Sequence, residues 1–179
     1  MRALALLVVV TAALATAATG AVDPKSLVIR PAEVPRGFRL DAAETGVRTN
    51  EDEIRGPKLT ALYEGWGRVT GYQAEFRRQQ DIIGARVDVF RDARGASRLL
   101  AWIDADMSKA GMRGLRRIRL QLGDRAWLYR GKSPSDFSFV IWREGRLCAA
   151  VIGWGVSERQ TLRLARLQQR RIEAALRSG

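Results

Sequence analysis

Alternating apolar and polar residues mark two neighbouring β-strands in the middle of the chain. One stretch begins at Arg68, and its apolar side carries Tyr72, Ala74 and Phe76. The stretch over 83–90 repeats this pattern with Ala85, Val87 and Val89. Residues two apart lie on the same face of a strand, so each stretch can bury one face. Because few residues separate the two stretches, we predict that they pair as a hairpin.

Four more strands are predicted after residue 110, over 115–122, 126–130, 136–143 and 146–154. The last two flank a turn at Glu144 and Gly145, which predicts a second hairpin. Its first strand is apolar on both faces, with Phe137, Phe139 and Ile141 opposite Val140 and Trp142. A strand of this kind needs cover on both sides, so we predict that this hairpin lies in the middle of the sheet.

Apolar residues at helical spacing predict two amphipathic helices. The mid-chain helix covers 94–110, with a stripe of Ala96, Leu99, Leu100, Ile103 and Met107. The C-terminal helix covers 157–177, with a stripe of Leu164, Leu167, Ile172, Ala175 and Leu176. A short helix is also predicted to begin at Asn50 as its N-cap and to be interrupted at Gly56 and Pro57. Before it, 27–40 is predicted to be an extended lead-in.

The order of these elements predicts an α+β fold with an antiparallel sheet of about five to six strands. The mid-chain helix and the long C-terminal helix are expected to pack on this sheet. No linker or repeat divides the chain, so residues 22–179 are interpreted as a single α+β domain.

Residues 1–21 have the order of a secretory signal peptide. Arg2 is followed by an aliphatic run and then by small residues up to Ala21. We therefore expect a secreted or extracytoplasmic protein. An uncleaved N-terminal membrane anchor is the alternative, because the uncharged stretch is close to the roughly 20 residues that cross a bilayer. No cysteine lies near the predicted cleavage site to carry a lipid anchor.

The chain is strongly basic, with 31 Lys and Arg residues against 19 Asp and Glu residues and a net charge of +12. Such a charge can attract anionic lipid, acidic wall polymer or nucleic acid. Export argues against nucleic acid as the partner. The alternative is that the arginines are spread over every face and have no common partner.

The chain has no histidine and only one cysteine, Cys148. Ser-His-Asp and Cys-His catalysis are therefore excluded, as are an intramolecular disulfide and the usual zinc clusters. Cys148 lies within an apolar strand, so we expect a buried and unreactive thiol. No cofactor is expected, because the glycine motifs around Trp66, Lys132 and Trp154 lack the spacing of nucleotide-binding loops.

Two sets of residues are candidates for binding. Aromatic residues on or beside strands could line a pocket between sheet and helix, and these are Trp66, Tyr72, Trp127, Tyr129, Trp142 and Trp154. Core packing is the alternative interpretation. On the outward face of the C-terminal helix, Arg163, Arg166 and Arg170 could contact an anionic surface. A solvated face is the alternative there.

Three segments carry a resemblance to known proteins: Gly123-Asp124-Arg125-Ala126, the run from Phe139 to Gly145, and the run from Leu164 to Ile172. With the lead-in Val34-Pro35-Arg36-Gly37-Phe38, they resemble small exported proteins of unknown function from high-GC Gram-positive and related bacteria. The element order also looks like the PsbP-like α-β-α sandwich of some mycobacterial lipoproteins. The resemblance implies a fold and no active site.

Three functions are compatible with the sequence. The first is a non-catalytic exported protein of the cell envelope that binds a hydrophobic or amphipathic ligand, such as a lipid, or a protein partner. The second is an electrostatic binder of anionic membrane or cell-wall polymer. The third is a histidine-free hydrolase using paired carboxylates, for which Asp88, Asp124 and Asp136 are the candidates.

Overall fold

The computed structural model describes residues 22–51, 57–109, 113–132 and 135–178. The predicted signal peptide and residues 52–56 of the predicted helix after Asn50 lie outside these ranges. Among the described residues, no helix is both long enough and apolar enough to cross a membrane.

A single antiparallel sheet organises the molecule. The helices are α1 (Pro24–Leu27), α2 (Pro57–Gly65), α3 (Ala93–Ser108) and α4 (Glu158–Ser178), with one turn of 3-10 helix at Pro31–Glu33. The strands are β1 (Arg39–Leu40), β2 (Gly46–Arg48), β3 (Arg68–Arg78), β4 (Asp81–Phe90), β5 (Arg113–Leu120), β6 (Arg125–Lys132), β7 (Asp136–Glu144) and β8 (Leu147–Trp154). The α+β class is confirmed.

The strands follow the order β1-β3-β4-β8-β7-β6-β5, and β2 also pairs with β3. Within the described ranges the sheet therefore has eight strands rather than five to six, because the two- and three-residue strands β1 and β2 both join one edge of β3. Strands this short have no alternating pattern from which they could be predicted. Both predicted hairpins, β3–β4 and β7–β8, are confirmed, and β7 and β8 lie inside the sheet as expected.

Two apolar cores lie on the two faces of the sheet. One core joins the sheet to α4 and α1, and its buried members include Leu27, Phe76, Val87, Val140, Val151, Leu164 and Ile172. The other joins the sheet to α3 and α2, and its buried members include Leu59, Tyr63, Phe90, Leu99, Leu100 and Ile141. The domain is thus a three-layer arrangement with helices on both faces of the sheet, as the mid-chain and C-terminal stripes predicted.

The helices differ in detail from the sequence prediction. The short helix predicted after Asn50 falls on residues outside the described ranges, and the described helix α2 spans Pro57–Gly65, beyond the interruption predicted at Gly56 and Pro57. The Asn50 side chain accepts a hydrogen bond from Arg68 at 2.9 Å. At the end of α4, Leu176 is 36% exposed rather than part of the buried stripe.

One edge of the sheet is formed by β5, which among the described strands pairs with β6 alone. Half of its residues are arginine, at positions 113, 116, 117 and 119. Charged side chains on an edge strand oppose pairing with further chains.

Candidate functional site

A cavity of about 430 Å³ lies between α3 and the sheet. The α3 side is formed by Leu99, Trp102, Ile103 and Met107, which recur at the three- and four-residue spacing of one helix face. The helix begins at Asp92, whose carboxylate accepts a hydrogen bond from the Gly95 N–H at 2.9 Å. This N-cap fixes where the apolar face starts relative to the sheet.

Small residues on the sheet leave room for the cavity. On the α3 side, the central strands β4 and β8 carry Gly84, Cys148 and Ala150. On their other face the same strands carry Ala85, Val87, Ala149 and Val151, all of which are fully buried. The α4 side is therefore filled, whereas the α3 side is left partly open.

Aromatic rings form much of the remaining wall. Tyr63, Trp102, Phe137 and Phe139 line the cavity. Phe137 and Phe139 lie with ring centroids 6.5 Å apart. Phe139, Ala150 and Ile152 are on interior strands and yet stay partly exposed, because α3 does not cover them completely.

One end of the cavity is charged. The carboxylate of Asp88 accepts from Arg68 Nε at 2.7 Å and from Arg86 Nε at 2.8 Å. Arg68 also donates to the Arg48 carbonyl at 2.8 Å, and its guanidinium lies 4.7 Å from the centre of the Tyr63 ring. These contacts tie β2, β3, β4 and α2 together at the cavity end.

The protonation states at this end follow from burial and charge. Burial opposes ionisation of Asp88, but the charges of Arg86 and Arg68 outweigh it and hold the pKa of the carboxyl below its ordinary value. Burial, with a smaller contribution from Asp88, raises the pKa of the Cys148 thiol far above its ordinary value. Asp88 is therefore an anion and Cys148 a neutral thiol, as expected for an unreactive cysteine.

The six aromatic residues predicted from sequence are not among those that line this cavity. Tyr72 and Trp142 lie on the α4 side of the sheet. Tyr129 is buried under α3 and donates to Asp104, while Trp127 lies beside the guanidinium groups of Arg117 and Arg125.

The remaining two predicted aromatic residues do not line the cavity but contact residues that do. Trp66 contacts Tyr63 and Trp102 at centroid distances of 6.1 and 6.5 Å, and Trp154 contacts Phe137 at 5.4 Å. No pattern along β4 and β8 marks the cavity side, because Ala85, Ala149 and Gly153 make the opposite face equally small.

The predicted arginines of α4 are brought together. Arg163, Arg166 and Arg170 line a shallow groove of about 320 Å³ with Arg159, Ser157 and Gln160. Arg159 was missed by the sequence prediction. The three candidate carboxylates are separated instead, since Asp88 lies in the α3 cavity, Asp124 pairs with Arg143 at 2.8 Å and Asp136 pairs with Lys132. Within the described ranges, no group of three or more Cys, Asp or Glu side chains could hold a metal ion.

No family model matches the chain, and no curated protein matches it in sequence. Among solved structures, it is similar to the extracellular domain of PknH from Mycobacterium tuberculosis. The TM-score is 0.55 at 10% identity, over 86% of this chain and 97% of that domain. At this identity the likeness shows the fold alone, and it agrees with the α+β architecture described above.

Proposed function

We propose that this chain is a non-catalytic exported protein of the cell envelope that binds a hydrophobic or amphipathic small molecule, such as a lipid, in the α3 cavity. The observation that carries this proposal is the incomplete cover of Phe139, Ala150 and Ile152 by α3. A cavity of about 430 Å³ is within the roughly 300–1,000 Å³ range of small-molecule sites. Apolar walls with a few polar groups at one end are typical of such sites.

The charged end favours an amphipathic ligand. The side chains of Gln73, Glu75, Arg86 and Asp88 line the cavity together with its apolar wall. An apolar tail would displace water from the aromatic wall, while a polar head would remain among groups that can hydrogen bond to it. Such a ligand would bind in one orientation.

The same groups support binding over catalysis. A hydrolase with two carboxylates needs one of them protonated as a general acid, with a raised pKa. Asp88, the candidate carboxylate that lines the cavity, has a lowered pKa and pairs with Arg68 and Arg86. The hydrolase hypothesis therefore has less support than the carrier hypothesis.

Two observations support an extracytoplasmic site of action. The sequence of residues 1–21 has the order of a signal peptide. The similar solved fold is that of an extracellular domain. A protein partner of the loaded form would then also lie outside the cytoplasm.

Native mass spectrometry of the purified protein tests the proposal, with an added mass that corresponds to a lipid or small apolar molecule as the expected result. Ala150→Leu places a larger side chain in the cavity, and Ala174→Leu makes the same change on the exposed side of α4. We expect the first variant to lose the added mass and the affinity for a fluorescent fatty acid, and the second to keep both. Equal binding by the two variants would place the ligand elsewhere.

A further inference from the structure

The outward side of α4 has an unusual composition. From Glu158 to Glu173, the helix has four exposed positions, and all four are arginine: Arg159, Arg163, Arg166 and Arg170. We name these four residues the arginine face. They recur every three or four residues, so they form one row along the helix. At 1.5 Å per residue, this row is about 16 Å long.

The row places like charges next to one another. Arg159 and Arg163 are four residues apart, as are Arg166 and Arg170, and like charges at this spacing destabilise a helix by a few tenths of a kcal/mol per pair. A helix with a merely solvated face gains from acidic residues mixed among the basic ones. In the arginine face none are mixed in, so the helix carries repulsion that an anionic ligand would relieve.

The nearby carboxylates are engaged with other groups. Glu158 pairs with Arg130 at 3.0 Å, and Glu173 accepts a hydrogen bond from Gln169 at 2.9 Å. Glu33 pairs with Arg171, and its backbone carbonyl accepts from Arg163. Among the described residues, Arg159, Arg166 and Arg170 have no carboxylate within ion-pair distance.

We propose that the arginine face binds a linear polyanion that carries phosphate groups. Guanidinium groups match phosphate oxygens with two parallel N–H donors, and a row of them suits a repeating series of phosphates. The residues line a shallow groove of about 320 Å³, a shape that fits a chain lying along the helix.

A linear polymer fits this surface better than a lipid bilayer. On the apolar side of α4, Leu164, Ala165 and Ile172 are fully buried against the sheet, and Leu167 and Ala175 are partly buried there. Helices that lie on membranes insert their apolar face between the lipids. The described exposed large apolar residues are Leu40, Val47, Val69 and Leu176, and only Leu176, at the helix end, belongs to α4.

Binding of inorganic polyphosphate, measured at increasing NaCl concentration, tests this proposal. The test variant is the triple change Arg159→Gln, Arg166→Gln and Arg170→Gln, which leaves Arg163 with its contact to Glu33. The matched control is Arg36→Gln, Arg94→Gln and Arg98→Gln, which removes three exposed charges from other elements. Thermal melting of each variant verifies that the fold is intact.

We expect the test variant to bind polyphosphate at least about tenfold more weakly than the unchanged protein and the control to lose less than about threefold. Affinity falls as salt rises, and each phosphate contact contributes about 0.7 to the steepness of log affinity against log salt concentration. The loss of three contacts should therefore make this dependence shallower by about two. Equal losses in the two triple variants would overturn the proposal, because they would show only an effect of net charge.

Two further probes sharpen the outcome. Poly-glutamate that binds as tightly as polyphosphate would overturn the assignment of phosphate, since the face would then respond to any polyanion. Binding to phosphatidylglycerol vesicles without binding to polyphosphate would assign the face to a membrane and overturn the linear polymer. Weak binding to both and tight binding to polyphosphate supports the proposal. None of these results depends on the α3 cavity.

Discussion

Asp88 is the residue on which the charged end of the cavity depends. Its partner Arg68 lies on the neighbouring strand β3 and has a fully buried side chain, whereas Arg86 lies on β4, the strand of Asp88 itself. Removing one member of a buried ion pair leaves the other charge uncompensated, which costs about 3–5 kcal/mol. We expect Asp88→Asn to lower the free energy of unfolding by this amount at pH 7, as measured by urea denaturation. A loss below about 1 kcal/mol would mean that the pair is not a stabilising contact.

The lowered pKa of Asp88 also predicts how stability depends on pH. The native pKa lies below the ordinary value of 3.8, so the native state binds fewer protons than the unfolded state in the acidic range. This stabilisation is fully present above the ordinary pKa and is lost as the pH falls through the lower native pKa. Denaturation at a series of pH values below 5 should therefore show a steep loss of stability that is shallower in Asp88→Asn.

Glu33 contributes in the same direction and needs a control. Burial opposes its ionisation, but its contacts with Arg30 and Arg171 lower its pKa. Glu33→Gln should therefore remove a smaller part of the loss of stability below pH 5, because this carboxylate is more exposed. If neither substitution changed the dependence of stability on pH below 5, that dependence would come from other carboxylates.

Trp142 and Gln169 predict a measurable coupling between sheet and helix. The buried indole N–H of Trp142 donates to Gln169 Oε1 at 2.6 Å. Gln169→Leu leaves this donor unpaired, at a cost of about 1–3 kcal/mol. Trp142→Phe combined with Gln169→Leu removes both partners, so the double variant should lose less than the sum of the single losses. Additive losses in a double-mutant cycle by urea denaturation would contradict this contact.

Individual residues of the cavity could not be chosen from the sequence, although its elements could. The sequence does not distinguish the aromatic residues that line the cavity, Tyr63, Trp102 and Phe139, from Tyr72 and Trp142, which do not. Only the packing of α3 on the sheet decides which aromatic residues line the cavity. The cavity itself depends on Gly84 and Ala150, which belong to strands that are far apart in the chain and neighbours in the sheet. A local pattern does not contain that pairing.

At the scale of elements, α4 lies so close to β8 that one position has no room for a side chain. A Cβ on Gly153 would stand 2.2 Å from the hydroxyl oxygen of Thr161 on α4. We expect Gly153→Ala to displace the helix and to lower the free energy of unfolding by about 1–3 kcal/mol. Gly46→Ala, where a Cβ would meet no atom within 4 Å, is the control for the loss of glycine. Equal melting temperatures for the two variants would contradict the close approach.

The elements that were predicted correctly are those in which apolar side chains recur regularly over at least two helical turns or four strand residues. The apolar faces of β7 and the stripes of α3 and α4 are long enough to show their period. The side chain of Asn50, which was predicted to cap a helix, accepts a hydrogen bond from Arg68 on β3. A polar side chain in such a loop can serve a cap or a distant partner equally well.

At the scale of the whole molecule, the sheet separates the two proposed sites. The cavity lies under α3, whereas the arginine face points outward from α4 on the other side. We expect the triple arginine variant to keep its affinity for a fluorescent fatty acid, and Ala150→Leu to keep its affinity for polyphosphate. Titrations of both probes on both variants measure this. A loss of both affinities in either variant would show that the two sites are coupled.

The open edge at β5 gives salt a second effect on this protein. We expect the arginines on this edge to oppose pairing between copies of the chain, and added salt screens such charge repulsion. Salt also weakens any attraction between α4 and a polyanion. Low salt therefore favours both the separation of copies and the binding of α4 to a polyanion. Dynamic light scattering should show self-association rising with ionic strength as polyphosphate binding falls.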